Sequence, residues 1–253
     1  MATATLVGST GQVVRPHFPT LQLIHLLILL QQGSSILTHL LAHPSFSAIY
    51  AYARRDLPNP TASTKLNPIT STDTTQWASL FPREMHPKIM FSGLGTTRAD
   101  AGGFENQRKI DYDLNMEVAR AAKDAGVETY VLISTTGANA GSMFAYPKMK
   151  GELENSIIEL GFKNTVFLRP GFIAGERTSR EAGAAEVGLR WIAKGLGGIT
   201  PALKNFWAQD GDLIGRAAVV AGVTCVEGKR EEGLWELGQA DIVRLGGELE
   251  KKP

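Results

Sequence analysis

An α/β fold with a doubly wound, mostly parallel sheet is predicted by three features of the sequence. Short apolar and β-branched runs alternate with longer amphipathic stretches, the pattern of strand, crossover helix and strand. The first run, Thr3 to Val7, feeds directly into Gly8-Ser9-Thr10-Gly11, a turn whose glycines let backbone amides approach a pyrophosphate. A later run, Tyr130-Val-Leu-Ile133, ends on Ser134, and Tyr146 and Lys150 follow on a helical stretch. These are the parts of a Rossmann fold with its ligand site at the carboxyl edge of the sheet.

With 253 residues and 43% hydrophobic content, the chain is long enough for one large domain and too short for two of ordinary size. Residues 1–253 are therefore expected to form a single NAD(P)-binding domain. Its 26 basic and 25 acidic residues are mixed along the chain and leave a net charge of +1; without a Lys/Arg block, nucleic acid is not an expected partner. The single cysteine, Cys225, rules out an internal disulfide and is expected to fill core space. His39 and His43 are helically spaced but lack the Glu a zinc protease needs, so no metal site is predicted. The N-terminus enters a strand at once, with no basic flank, and a cleavable presequence is not expected.

Taken in order, the first strand and the Gly8–Gly11 turn are followed by a break. Where a third glycine and a helix should come, the chain has Val14 to Gln32, after which Gly33 to His43 reads as the missing helix. Removing those 19 residues leaves Gly8-Ser-Thr-Gly11-Gln-Val-Gly33, a G-x-x-G-x-x-G opening a helix. Residues 14–32 are thus read as an insertion, with two explanations open. It is translated intron, since Val14-Arg15 can be encoded GTACGT and Gln32 CAG; or it is an interfacial segment, since Leu21 to Leu30 is almost all apolar. That run cannot span a bilayer, which takes about 20 consecutive apolar residues, so peripheral membrane association is the most it supports and no transmembrane span is predicted.

Phe46 to Ala53 reads as the second strand and ends in Arg54-Arg55. Guanidinium groups there suit a 2′-phosphate and favour NADP(H) over NAD(H), while Asp56 keeps NAD(H) open. Pro58 to Thr75 should be loop around at most one short strand. Lys88 to Phe91 is the next strand, followed by the small-residue turn Ser92-Gly-Leu-Gly-Thr-Thr97. Leu114, Val118, Ala121, Ala122 and Ala125 make one helical stripe within Asp113 to Ala125, which Gly126 ends. Asn164 to Leu168 is a strand with Arg169-Pro170-Gly171 as its turn, and Arg169 has a carboxylate as an expected partner. Residues 172–253 are assigned to a C-terminal, substrate-side portion with helical pieces at Glu186 to Lys194 and Leu213 to Val223. Its Trp191, Phe206 and Trp207 either pack a core or line the pocket. Leu234 to Leu237 and Asp241 to Glu250 close the chain as strand and helix.

The candidate chemistry sits at Ser134, Tyr146 and Lys150. Four residues apart on a helix, Tyr146 and Lys150 project from one face, and the ammonium favours the phenolate, drawing the phenol down from its usual value of about 10. Tyr146 could then protonate a carbonyl oxygen that Ser134, or Thr135 beside it, hydrogen-bonds while a nicotinamide delivers hydride to the carbon.

Ser134-Thr-Thr-Gly-Ala, Tyr146-Pro-Lys-Met-Lys-Gly-Glu and Leu168-Arg-Pro-Gly171, after an N-terminal glycine-rich turn, resemble the short-chain dehydrogenase/reductase superfamily. More closely, they resemble the fungal FMP52 family, related to the Tat-interacting oxidoreductase. The resemblance implies an NADP(H)-dependent reductase acting on a small carbonyl or alcohol, with Ser134, Tyr146 and Lys150 catalytic. It implies cofactor contacts from Gly8, Ser9, Thr10, Gly11, Gly33, Arg54, Arg55 and Lys150, with Gly93 and Gly95 on the adenine-ribose side and Pro170 and Gly171 near the nicotinamide. Asn115 resembles the superfamily's structural asparagine. Location at the mitochondrial outer membrane, peripherally, is also implied, with the cytoplasm as the alternative. The alternative function is a non-catalytic NADP(H)-binding scaffold or redox sensor at that surface. The intron reading is checked in genomic DNA: it expects GT at Val14 and AG closing the Gln32 codon, and a CAA codon at Gln32 eliminates it.

Overall fold

The computed structural model describes residues 1–8, 33–57, 59, 62–171 and 211–248. Seven parallel strands form one sheet: β1 (Ala2–Val7), β2 (Phe46–Ala53), β3 (Leu66–Thr70), β4 (Ile89–Ser92), β5 (Thr129–Ile133), β6 (Asn164–Leu168) and β7 (Gly233–Leu237), in the order β3-β2-β1-β4-β5-β6-β7. The central strands are buried on both faces, as parallel strands covered by helices must be. Their residues alternate between two cores. Leu6, Val131, Ile133, Val166 and Leu168 face one, while Val7, Tyr130, Leu132 and Phe167 face the other.

The first core is closed by α1 (residues 33–42), α5 (Gly211–Val226) and α6 (Gln239–Glu248). Gly222 lets α5 lie directly on the sheet, since a Cβ there would come within 2.6 Å of Ile89 and 2.8 Å of Phe91. Cys225 is buried in this core, and burial raises its thiol above the ordinary value. Asp212 ties α5 to α1, accepting from Ser35 Oγ at 3.1 Å and meeting His39 Nε2 at 2.8 Å, while Arg216 reaches its other oxygen at 2.7 Å. Burial pushes the Asp212 carboxyl up, but bonds from His39, Arg216 and Ser35 outweigh it and leave the group below the usual carboxylate range.

The second core is closed by a long helical segment and by α4 (Ala145–Glu159). The segment starts as α2 (Phe104–Arg108), passes through a π-helical turn at Lys109–Leu114, and ends as α3 (Asn115–Asp124). The apolar stripe predicted only its last part, because the residues before Leu114 are mostly polar. The predicted strands, β7 and the final helix are present, the last as Gln239–Glu248. The short strand allowed between Pro58 and Thr75 is β3. Within the C-terminal portion, residues 211–248 supply β7, α5 and α6. Trp191, Phe206, Trp207 and the helical piece at 186–194 lie outside the described residues. Among the described residues no helix is long and apolar enough to cross a membrane.

Candidate functional site

Parallel pairing puts every carboxyl end on one edge of the sheet, and the expected site residues lie along that edge. Arg54 and Arg55 follow β2, Gly8 follows β1, Gly93 and Gly95 follow β4, Ser134 follows β5, and Pro170 and Gly171 follow β6. From β1 the sheet grows one way through β2 and β3 and the other way through β4 to β7. The crevice at such a switch point is where open α/β sheets bind ligands.

Three glycines converge there. Gly8 has φ +85°, and a Cβ on it would lie 2.6 Å from the Gly93 carbonyl carbon; only glycine holds that backbone at that distance. A Cβ on Gly93 would in turn sit 3.6 Å from the Gly33 Cα. Although Val14 to Gln32 separates Gly8 from Gly33 in sequence, both therefore meet at the turn after β4, and α1 begins beside them. Ser9, Thr10, Gly11 and the 14–32 segment itself lie outside the described residues.

The turn after β4 is held from the helical segment. Asp111 Oδ1 accepts from the Thr96 amide at 2.7 Å, and Gln107 Nε2 donates to the Thr96 carbonyl at 2.9 Å. Asn115 Oδ1 accepts from Ser92 Oγ at 2.5 Å, and its amide donates to the Asp111 carbonyl at 3.0 Å. These are supporting contacts, in keeping with a structural asparagine. Asp111 and Gln107 escaped the sequence reading; their signal was a run of polar residues at 107, 111 and 115, spaced to share one helical face. Arg54 and Arg55 are exposed at the end of β2.

At the end of β5, Ser134 is buried and its amide donates to the Leu168 carbonyl at 2.8 Å. Its Oγ has no hydrogen-bond partner among the described residues. Such an orphan is uncommon, because a buried hydroxyl without a partner costs about 1–3 kcal/mol. Lys150, 2% exposed, donates from Nζ to the Ile133 carbonyl at 3.2 Å, so its ammonium arrives one residue from Ser134. Tyr146 is half-buried in the first turn of α4, one helical turn from Lys150 and on the same face. Pro147 is tolerated beside it because first-turn amides have no intrahelical acceptor.

The loop between β5 and α4 is seated on the helix. Asn139 N donates to the Pro147 carbonyl at 3.0 Å and Thr136 N to the Pro170 carbonyl at 2.9 Å. Gly151, the residue after Lys150, is the contact point: a Cβ there would overlap Asn139 and Ala140 backbone atoms. Arg169 meets its expected carboxylate. Nε donates to Glu154 Oε1 at 3.0 Å and Nη2 to Oε2 at 2.6 Å, with Glu236 Oε1 2.7 Å away. The bidentate bond to Glu154 raises the guanidinium further above its ordinary value against the opposing effect of partial burial.

The fold and this edge define a Rossmann-type α/β protein with its candidate ligand site at the carboxyl ends of the strands. Its backbone superposes on MoeE5 in complex with UDP-glucuronic acid and NAD with a TM-score of 0.57 at 15% identity, covering 97% of this chain and 81% of that one. The UDP-glucose 4-epimerase of Thermus thermophilus, in complex with NAD, gives 0.54 at 17% identity, covering 99% and 84%. In sequence, the chain is 46% identical to "Protein fmp52, mitochondrial" of Aspergillus fumigatus over 98% of this chain and 99% of that protein. It is 48% identical to "Protein FMP52, mitochondrial" of Saccharomyces cerevisiae over 60% of this chain and 65% of that protein. The HIM1 family model matches residues 61–188. The chain therefore belongs to the FMP52 proteins and to the HIM1 family.

Gly151→Ala should displace the Asn139–Ala140 loop from α4 and destabilise the chain by about 1–3 kcal/mol, read from the urea midpoint; a loss under about 0.5 kcal/mol would mean that the loop yields freely.

Proposed function

We propose that this chain is an NADP(H)-dependent reductase-like enzyme acting on a small carbonyl or alcohol. The observation that carries the reading is the buried Ser134 hydroxyl, without a hydrogen-bond partner among the described residues, beside the carbonyl that buried Lys150 holds, with Tyr146 one turn from Lys150 on the same helix face. A hydroxyl kept unsatisfied at a ligand-binding edge is suited to a substrate oxygen as its partner.

The glycine turns at Gly8, Gly33 and Gly93 fit a dinucleotide, because residues without side chains let the end of β1, the turn after β4 and the start of α1 pack closely at the strand ends, the place where a pyrophosphate is bound in such sheets. Gly95, Ser9, Thr10 and Gly11 would extend the same turns, Lys150 would meet a ribose, and Pro170 and Gly171 would border the nicotinamide. Neighbours of the same fold in complex with NAD support this class of ligand. Arg54 and Arg55, at the strand end where the adenine ribose is read, favour a 2′-phosphate. When bound, the cofactor supplies hydride to the substrate's carbonyl carbon. Ser134 donates a hydrogen bond to the carbonyl oxygen, and Tyr146 gives that oxygen its proton, so that the product is the alcohol. Lys150 stabilises the phenolate left behind.

The relatives' names place those proteins at the mitochondrion, and we assign this chain to the same organelle, peripherally at its outer membrane.

Tyr146→Phe is expected to lower NADPH oxidation by a reducible carbonyl at least about 100-fold while leaving NADPH affinity unchanged; full activity in that variant with any substrate refutes the mechanism. Replacing Arg54 and Arg55 together by Ala should weaken NADPH about tenfold and leave NADH binding as it was, by fluorescence titration; an equal loss for both cofactors refutes the 2′-phosphate role.

A further inference from the structure

Tyr146, Lys150 and Glu154 stand at successive turns of α4 and share one face. That face is buried: Met149, Lys150, Leu153, Glu154 and Ile157 are all shielded from solvent. A carboxylate buried one turn from an ammonium is its natural partner, and the attraction is strong away from water. Yet Lys150 donates to the Ile133 carbonyl at 3.2 Å, and Glu154 is held at both oxygens by Arg169, at 3.0 and 2.6 Å.

Arg169 reaches Glu154 from outside the helix. It follows β6, its own amide donates to the Leu237 carbonyl at 2.8 Å, and its guanidinium also contacts Glu236 of β7 at 2.7 Å. The pair thus ties α4 to the ends of β6 and β7 with planar, two-point geometry that a lysine could not reproduce.

We propose that Arg169 is a positioning residue for the Tyr146–Lys150 pair: by engaging both oxygens of Glu154, it keeps that carboxylate from drawing the Lys150 ammonium off the Ile133 carbonyl and away from Tyr146. The inference rests on the reading of Tyr146 and Lys150 as the acid/base pair, and it extends the site one turn down the helix. Without the guanidinium, Glu154 pairs with Lys150, the phenolate of Tyr146 loses its support, and the phenol becomes harder to ionise. Two further charged or titratable groups that meet α4 are Arg108, on Glu152 at 2.7 Å, and Tyr112, on Ser156 at 2.9 Å. They meet the helix face that carries Glu152 and Ser156, whereas Glu154 and its partner Arg169 stand on the face that carries Lys150.

The test is a double-mutant cycle read by the ultraviolet titration of Tyr146, taken as the difference between each protein and its Tyr146→Phe counterpart. It needs neither cofactor nor substrate. Arg169→Gln is expected to raise the Tyr146 midpoint by about half a pH unit or more. In the Glu154→Gln background, the same Arg169→Gln change is expected to leave the midpoint in place. An equal rise in both backgrounds, or no rise in either, overturns the proposal, because Arg169 would then act by its own charge, by packing, or not at all, and not through Glu154. If Arg169→Gln does not fold, Arg169→Lys takes its place, with a smaller rise expected in the Glu154 protein and none in the Glu154→Gln background; absence of that rise overturns the proposal. Since the titration reads the protein alone, loss of the reductase reading through an active Tyr146→Phe enzyme remains a separate result.

Discussion

Parallel pairing forces the chain to cross a face of the sheet before each new strand can join, and that constraint decides where this protein keeps its polar groups. Crossovers bury both faces, so the strands' interiors are apolar and their polar residues collect at the ends. Because all seven strands run the same way, one edge receives Gly8, Arg54, Gly93, Ser134 and Arg169 together. The reversal of strand order between β1 and β4 makes Gly8 and Gly93 neighbours at the middle of that edge.

Within that edge, order is imposed by side chains that come from the helices. The turn after β4 takes its shape from Gln107, Asp111 and Asn115, and the end of β5 takes its charge from Lys150 of α4. The helix is in turn fixed twice, by the backbone contact at Gly151 and by the two-point ion pair between Glu154 and Arg169. A buried ammonium is costly unless it is hydrogen-bonded, so each of these restraints bears on whether Lys150 can stay where it is.

The Gly8–Gly93–Gly33 contact bears on the interrupted glycine motif. Whatever the origin of residues 14–32, Gly8 and Gly33 both lie against the turn at Gly93. That follows from packing. Ile36, Leu37, Leu40 and Leu41 bury α1 against Leu6, Ile214 and Ala218, and those contacts seat the helix without reference to the length of chain that precedes it.

Period-2 and period-3.6 patterns, turn residues and short motifs are local properties, and from them the sequence by itself determined the doubly wound class, the strands, Ser134 at a strand end and the Tyr146–Lys150 spacing. Even the final strand and helix were legible, because alternation and amphipathic spacing need no knowledge of partners. The tertiary structure alone decided which groups meet across the chain: Gly8 with Gly33 at Gly93, Asp111 with Thr96, and Glu154 with Arg169 rather than with the lysine four residues before it. It also decided that the helical segment ending in α3 begins well before its apolar stripe, through a π-helical turn in which Asp111 is buried beneath the turn after β4. Burial of a charge and the identity of its partner depend on what packs there from elsewhere in the chain, and no local pattern carries that information.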